Sequence, residues 1–237
     1  MVGVLSAIAI VPSAPVLVPE LVGAAAAEVA DLAAAVLAAA ALLPPRWVAV
    51  GTGRADDVLA PDGPNSRGTF AGFGADVQVR LSPQAHDGAA LPVELPVCAL
   101  LAAWLRGQAR HEASVEVRVY RSDHDADMAL ALGRQLRAEI DQATDPIGVL
   151  VVADGANTLT PAAPGGYQPG NADAQLGLDD ALANGDVAAL TLLPHQILGR
   201  VAFQVLAGLT EPGPRSAKEL YRGAPYGVGY FAGVWQP

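Results

Sequence analysis

The chain has 237 residues, a net charge of −10, and only 16% charged side chains against 52% apolar ones. That balance excludes a disordered chain and is enough for one sizeable core. Lys218 is the only lysine, so the clustered cations that grip phosphate backbones are missing and nucleic acid is not an expected partner.

The first stretch, Ala7-Ile8-Ala9-Ile10-Val11-Pro12-Ser13-Ala14-Pro15, is an apolar run closed by prolines. It reads as a buried strand over 3–11 leading into a shaped loop. Ser13 is the first hydroxyl beyond that strand's carboxyl end, the place where open α/β sheets hold ligands. No basic n-region of a secretory signal precedes Glu20. Residues from Pro19 to about Leu43 form an expected helix that stops at Pro44-Pro45, with Glu28 and Asp31 on its wet stripe. Those two acids and the alanine content argue against a membrane span, and no membrane association is expected.

Trp47-Val48-Ala49-Val50 reads as a second buried strand that ends in Gly51-Thr52-Gly53-Arg54. The lone Gly51-Thr52-Gly53 falls short of a phosphate-binding fingerprint and reads as a tight turn. A long loop to about Gly74 follows. Val77, Val79 and Leu81 alternate with polar residues, as in a half-exposed edge strand. Residues 94–109 read as a helix. Cys98 lies in its apolar start and is expected to be a buried, inert thiol; a lone cysteine suits a reducing compartment, so a cytoplasmic location is expected.

Val115, Val117 and Val119 mark another strand, and a helix starts near residues 123–125. Met128, Leu132, Leu136 and Ile140 then form an i, i+4 stripe expected to face the core. Ile147 to Val152 is apolar on both faces and should be a central strand. It ends in Ala153-Asp154-Gly155-Ala156-Asn157-Thr158, before a Pro/Gly loop over 161–170. Residues 173–184, 186–192 and 195–208 read as helices with Asp186 as an N-cap, and 224–235 as a last strand. Strands alternating with helices predict a single α/β domain over 1–237, a central mainly parallel or mixed sheet flanked by helices.

Three stretches resemble one family. Ile10-Val11-Pro12-Ser13-Ala14-Pro15-Val16-Leu17-Val18-Pro19-Glu20 resembles the opening Pro-His-Pro-Pro motif of the class III extradiol dioxygenase B-subunit (LigB-like) proteins. Asp154-Gly155-Ala156-Asn157-Thr158-Leu159-Thr160-Pro161, with Ala163-Pro164-Gly165-Gly166-Tyr167, resembles that family's Asp-Leu-Ser-His segment. Ala224-Pro225-Tyr226-Gly227-Val228-Gly229-Tyr230-Phe231 is similar to the close of actinobacterial members. The resemblance implies a LigB-like fold. In active members it implies Fe(II) held by two histidines and a glutamate, with a further histidine as acid/base, opening a catecholic ring with O2.

Carried over, the first histidine ligand falls on Ser13, the second near Thr52 and Gly53, and the acid/base histidine on Asn157. Glu219 is the only acidic candidate for the glutamate near the closing motif. Neutral hydroxyls are poor Fe(II) ligands, and an amide does not titrate near neutral pH. No cofactor and no catalytic residue are therefore expected. The expected function is a non-oxygenase that binds a small molecule through Ser13, Thr52, Asp154 and Asn157, or a protein partner, with self-association open. Asp154 and Asn157 could equally be turn residues bonding their own backbone.

The runner-up is a metal-dependent extradiol-type dioxygenase acting on a catecholic or other aromatic substrate with relocated ligands, and Fe(II) is expected only there. The histidines available are His86, His111, His124 and His195. His124 sits within an Asp-x-Asp-x-Asp run, but Met128 and Arg134 stand where a calcium loop needs glycine and glutamate, so a solvated helix start is expected. No Gly-x-Ser-x-Gly elbow surrounds Ser13, which argues against a hydrolytic nucleophile.

Overall fold

A computed structural model describes residues 4–85 and 94–237. A single α/β unit is built on a seven-stranded mixed sheet. Its strands are β1 (Leu5–Val11), β2 (Arg46–Gly53), β3 (Asp57–Leu59), β6 (Ser114–Arg121), β7 (Ile147–Val152), β8 (Ser216–Gly223) and β9 (Tyr230–Gln236). A separate two-stranded sheet pairs β4 (Arg67–Thr69) with β5 (Gln78–Arg80). The order across the large sheet is β3-β6-β2-β7-β1-β9-β8. β6, β2, β7 and β1 run parallel, while β3, β9 and β8 pair antiparallel at the flanks.

Side chains alternate between the two faces, as the pleat requires. Ala7, Ala9 and Val11 enter one core; Ile8 and Ile10 enter the other. β7 is buried throughout and lies between β2 and β1, which accounts for its unbroken apolar sequence. The first core is covered by α2 (Ala30–Ala41) and α3 (Val97–Ala109). The second is covered by α4 (Ala126–Ile140), α5 (Ala172–Asn184), α6 (Val187–Thr191) and α7 (Arg200–Thr210).

Several expectations change. The single helix from Pro19 to Leu43 is broken: a short turn of helix, α1 (Pro19–Val22), ends at Gly23 with φ 52, and a 3-10 stretch follows before α2. Only glycine takes that backbone conformation readily. Glu28 and Asp31 are exposed, as expected. The loop to Gly74 contains β3 and β4, and β5 pairs with β4 rather than edging the main sheet. The helix expected over 195–208 starts at Arg200, after a turn. β8 was unforeseen because its residues are mostly polar.

The core stripe of α4 also differs. Leu136 and Ile140 are buried, but Met128 is 48% exposed, and the packed face runs through Ala129 and Gly133 instead. Only the first half of the packed face is shifted by one position, where α7 approaches through glycine. A Cβ on Gly133 would lie 2.2 Å from the Val205 carbonyl oxygen, and one on Gly208 would lie 2.2 Å from that of Leu130. Among the described residues, no helix is long and apolar enough to cross a membrane.

Candidate functional site

The carboxyl ends of β1, β2 and β7 open on one side of the sheet. Past β1 the chain turns at Pro12, and the Ser13 backbone N–H donates to Asp154 Oδ1 at 2.8 Å. Past β7, Ala153 still bonds the Val11 carbonyl (2.9 Å), so Asp154 is delivered beside Ser13 by the parallel ladder itself. The structure therefore brings these two candidates together directly. Among the described residues the Asp154 side chain is bonded by Ser13 and not by its own loop backbone.

Burial pushes the Asp154 carboxyl up to about 7, against the smaller lowering effect of the Ser13 amide. Among the described residues, no cation bears on it and no donor reaches its Oδ2. Tyr230 opens β9, which pairs antiparallel with β1 over Ile8–Ile10. Tyr230 is 4% exposed. Burial raises its pKa and the nearby Asp154 charge raises it further. Tyr226 belongs to the same wall: its hydroxyl is sealed from water without a well-placed partner, and burial, then Glu28, raise its pKa. Both tyrosines lie in the closing motif, which carried the resemblance but was not read as a source of site residues.

Thr52 lies on β2, next to β7, and lines an open groove of about 940 Å³ with Gly53, Arg54, Phe73, Leu95 and Leu100. The Thr52 carbonyl accepts a weak bond from the Cys98 thiol (3.8 Å), and burial lifts that thiol to about 12. Cys98 is thus the inert, buried residue expected. Asn157 is half-buried further along the loop, where its side chain fills the space beside Gly165; a Cβ there would come within 2.4 Å of Asn157 Oδ1. No hydrogen bond joins it to Ser13 or Asp154 among the described residues.

The 154–159 loop is fixed from two sides. Gly155 N–H and Gly229 N–H bond Gly229 O and Ala156 O, and Leu159 N–H bonds Gly227 O. Beneath it, Gln175 Oε1 accepts from Ala156 N–H (2.8 Å) while Gln175 Nε2 donates to Asp179 Oδ1 (2.8 Å). Burial raises Asp179 to about 6, although the Gln175 bond lowers it. Sequence reasoning did not single out Gln175 or Asp179, because helical glutamine and aspartate carry no signal of burial.

Glu219 sits elsewhere. Its Cα pairs with Gly233, itself opposite Ile10, so it is level with the body of β1 rather than beyond its end. Its carboxylate is held by Arg222 at 2.7 and 2.5 Å. His124 pairs with Asp56 at 2.9 Å; His111 and His195 are exposed, and His86 lies outside the described residues. Among the described residues no three His, Cys, Asp or Glu side chains converge as a metal cluster.

The iron centre that the resemblance implies is not matched by these donors. Ser13 and Thr52 offer neutral hydroxyls, Asn157 an amide packed beside Gly165, and Asp154 a single carboxyl whose pKa burial raises to about 7. Fe(II) of that kind needs imidazoles with a carboxylate.

No protein-family model matches the chain, and no curated protein matches it. Among solved structures it is similar to the crystal structure of uncharacterized protein JW3007 from Escherichia coli K12. The two are 10% identical, with a TM-score of 0.58, over 97% of this chain and 99% of that one. At that identity the likeness speaks for the fold alone: one α/β domain with a central mixed sheet.

Proposed function

We propose that this chain is a LigB-like protein that has kept the crevice of an iron dioxygenase and exchanged its chemistry for the binding of a small molecule. The carrying observation is the pairing of Ser13 with Asp154 at the carboxyl ends of β1 and β7. A hydroxyl stands where the resemblance places the first imidazole, and an amide-bound carboxyl lies beside it. Such a site can orient a ligand through hydrogen bonds, but it has no donor set for Fe(II) and no histidine to exchange a proton. Ser13 and Asp154 are the proposed ligand contacts; Thr52 lines a separate groove across β7, and Asn157 packs beside Gly165. The acidic surface argues against nucleic acid as a partner, and the lone buried thiol suits a reducing, cytoplasmic setting.

The test is metal content after purification, followed by anaerobic addition of Fe(II) and assay with catechols. A folded chain that retains no stoichiometric iron and cleaves no ring supports the proposal. Stoichiometric iron with ring cleavage overturns it and favours a dioxygenase with relocated ligands.

A further inference from the structure

β2 and β6 are adjacent and parallel, yet the chain leaves them toward opposite faces of the sheet. After β2 it goes on to α3 over the first core; after β6 it goes to α4 over the second. Where neighbouring connections part in this way, a crevice remains beyond the carboxyl ends of the strands, and open α/β sheets hold ligands there. Here that crevice is the groove of about 940 Å³, within the usual size of small-molecule sites. Thr52, Gly53 and Arg54 reach it from the end of β2, Val119 from β6, and Val97 and Leu100 from the first turn of α3.

The groove has an apolar wall that is fixed in place. Leu95, Leu100 and Val119 are buried in the first core, and Phe73 stands beside them. Phe73 is set edge-on against the buried Phe70, with ring centroids 6.0 Å apart, and is still 45% exposed. The turn carrying it is tied down: Thr69 Oγ1 accepts from the Ala71 N–H at 3.1 Å and donates to Asp76 Oδ1 at 2.7 Å. A large ring held this way and left uncovered beside a hollow is an unfilled contact surface. The hollow reaches Gly72, where a Cβ would meet no atom within 4 Å.

The charges on the lining come in both signs. Arg54 is one pole; Asp57 and Glu94 are the other. Among the described residues no ion pair joins Arg54 to either acid. Asp57 Oδ1 accepts from the Val58 N–H at 2.8 Å, which fixes that carboxylate at the groove. A ligand of one sign would leave the opposite pole unmatched. An ammonium and a carboxylate on one apolar body match both poles and the wall between them. The volume far exceeds that of a single amino acid.

We propose that this groove binds a zwitterion with an apolar body, of the size of a dipeptide. Arg54 takes its carboxylate, Asp57 and Glu94 its ammonium, and Phe73, Leu95 and Leu100 its aliphatic side chains. The site lies across β7 from Ser13 and Asp154 and does not rest on the reading of that pair.

The experiment is calorimetric titration of the full chain with leucyl-leucine, its N-acetyl form, its C-terminal amide, and glycylglycine. Leucyl-leucine is expected to bind at least about tenfold more tightly than either blocked form, with glycylglycine weakest, since each block removes one charge-assisted contact. Arg54→Ala should bring leucyl-leucine down to the affinity of the amide and leave the amide unchanged. Asp57→Asn with Glu94→Gln should bring it down to that of the N-acetyl form. Gly72→Trp should fill the hollow and abolish binding while the circular dichroism spectrum stays native. Arg54, being exposed, keeps the question answerable should the tryptophan variant fold poorly. No binding of leucyl-leucine, equal binding of the free and blocked forms, or full binding in a folded Gly72→Trp chain overturns the proposal. Each of these outcomes leaves the Ser13–Asp154 reading standing, and iron with ring cleavage would remove that reading without touching this one.

Discussion

The backbone N–H of Ser13 donates to the Asp154 side chain across 141 positions of sequence, at 2.8 Å. The bond ties the carboxyl ends of two adjacent parallel strands and fixes a carboxyl group in a place that disfavours its charge.

Burial raises Asp154 from 3.8 to about 7. Between those values the folded chain keeps a proton that the unfolded chain has released, so stability is greatest at the acid end and falls as pH rises from about 4 to about 7. Asp179, raised to about 6, acts in the same direction. Asp154→Asn preserves an acceptor for Ser13 and removes the charge. It should be more stable than the parent by about 1–3 kcal/mol at pH 8, with a flatter pH profile. Urea unfolding at pH 5 and pH 8 checks this; a variant less stable at both values would contradict it.

Gln175 joins the loop to α5. Gln175→Leu strips the Ala156 amide of its acceptor and Asp179 of its donor, both in the interior. A loss of about 2–4 kcal/mol is expected, with faster hydrogen exchange at Ala156. Gln175→Glu would restore the acceptor but face Asp179 with a second carboxylate, so its deficit should shrink as pH falls. Exchange at Ala156 unchanged in the leucine variant would refute the link.

The contact of α4 with α7 has no room for a Cβ at Gly133 or Gly208, because the obstructing atoms are backbone. Gly133→Ala and Gly208→Ala should each destabilise by about 2–4 kcal/mol, although alanine is the better helix former. Chemical denaturation decides between packing and propensity: a stabilised variant would mean that propensity wins.

Cys98 is 2% exposed and its thiol is lifted to about 12. In the native chain at pH 8 it should react with an aromatic disulfide reagent at least about a hundredfold more slowly than in urea. Comparable rates in the two conditions would place the thiol at the surface.

The resemblance located the polar residues at strand ends but could not say which of them meet. Ser13 and Asp154 do; Asn157 turns to Gly165, and Glu219 is held by Arg222 in the body of the sheet. Tyr230 and Gln175 escaped notice because nothing local distinguishes a buried tyrosine or glutamine from an exposed one. The α4 stripe was misplaced at Met128 because apolar spacing counts large side chains. The contact with α7 is made instead through the absence of one at Gly133.

What the amino-acid order decided unaided was the sheet's middle. Ile147–Val152 is apolar on both faces, and such a strand is stable only with neighbours on either edge and helices above and below. The tertiary structure alone decided the chemistry of the crevice. The charge state of Asp154 depends on how much water reaches it and on an amide 141 residues away, and neither is written in the residues that adjoin it.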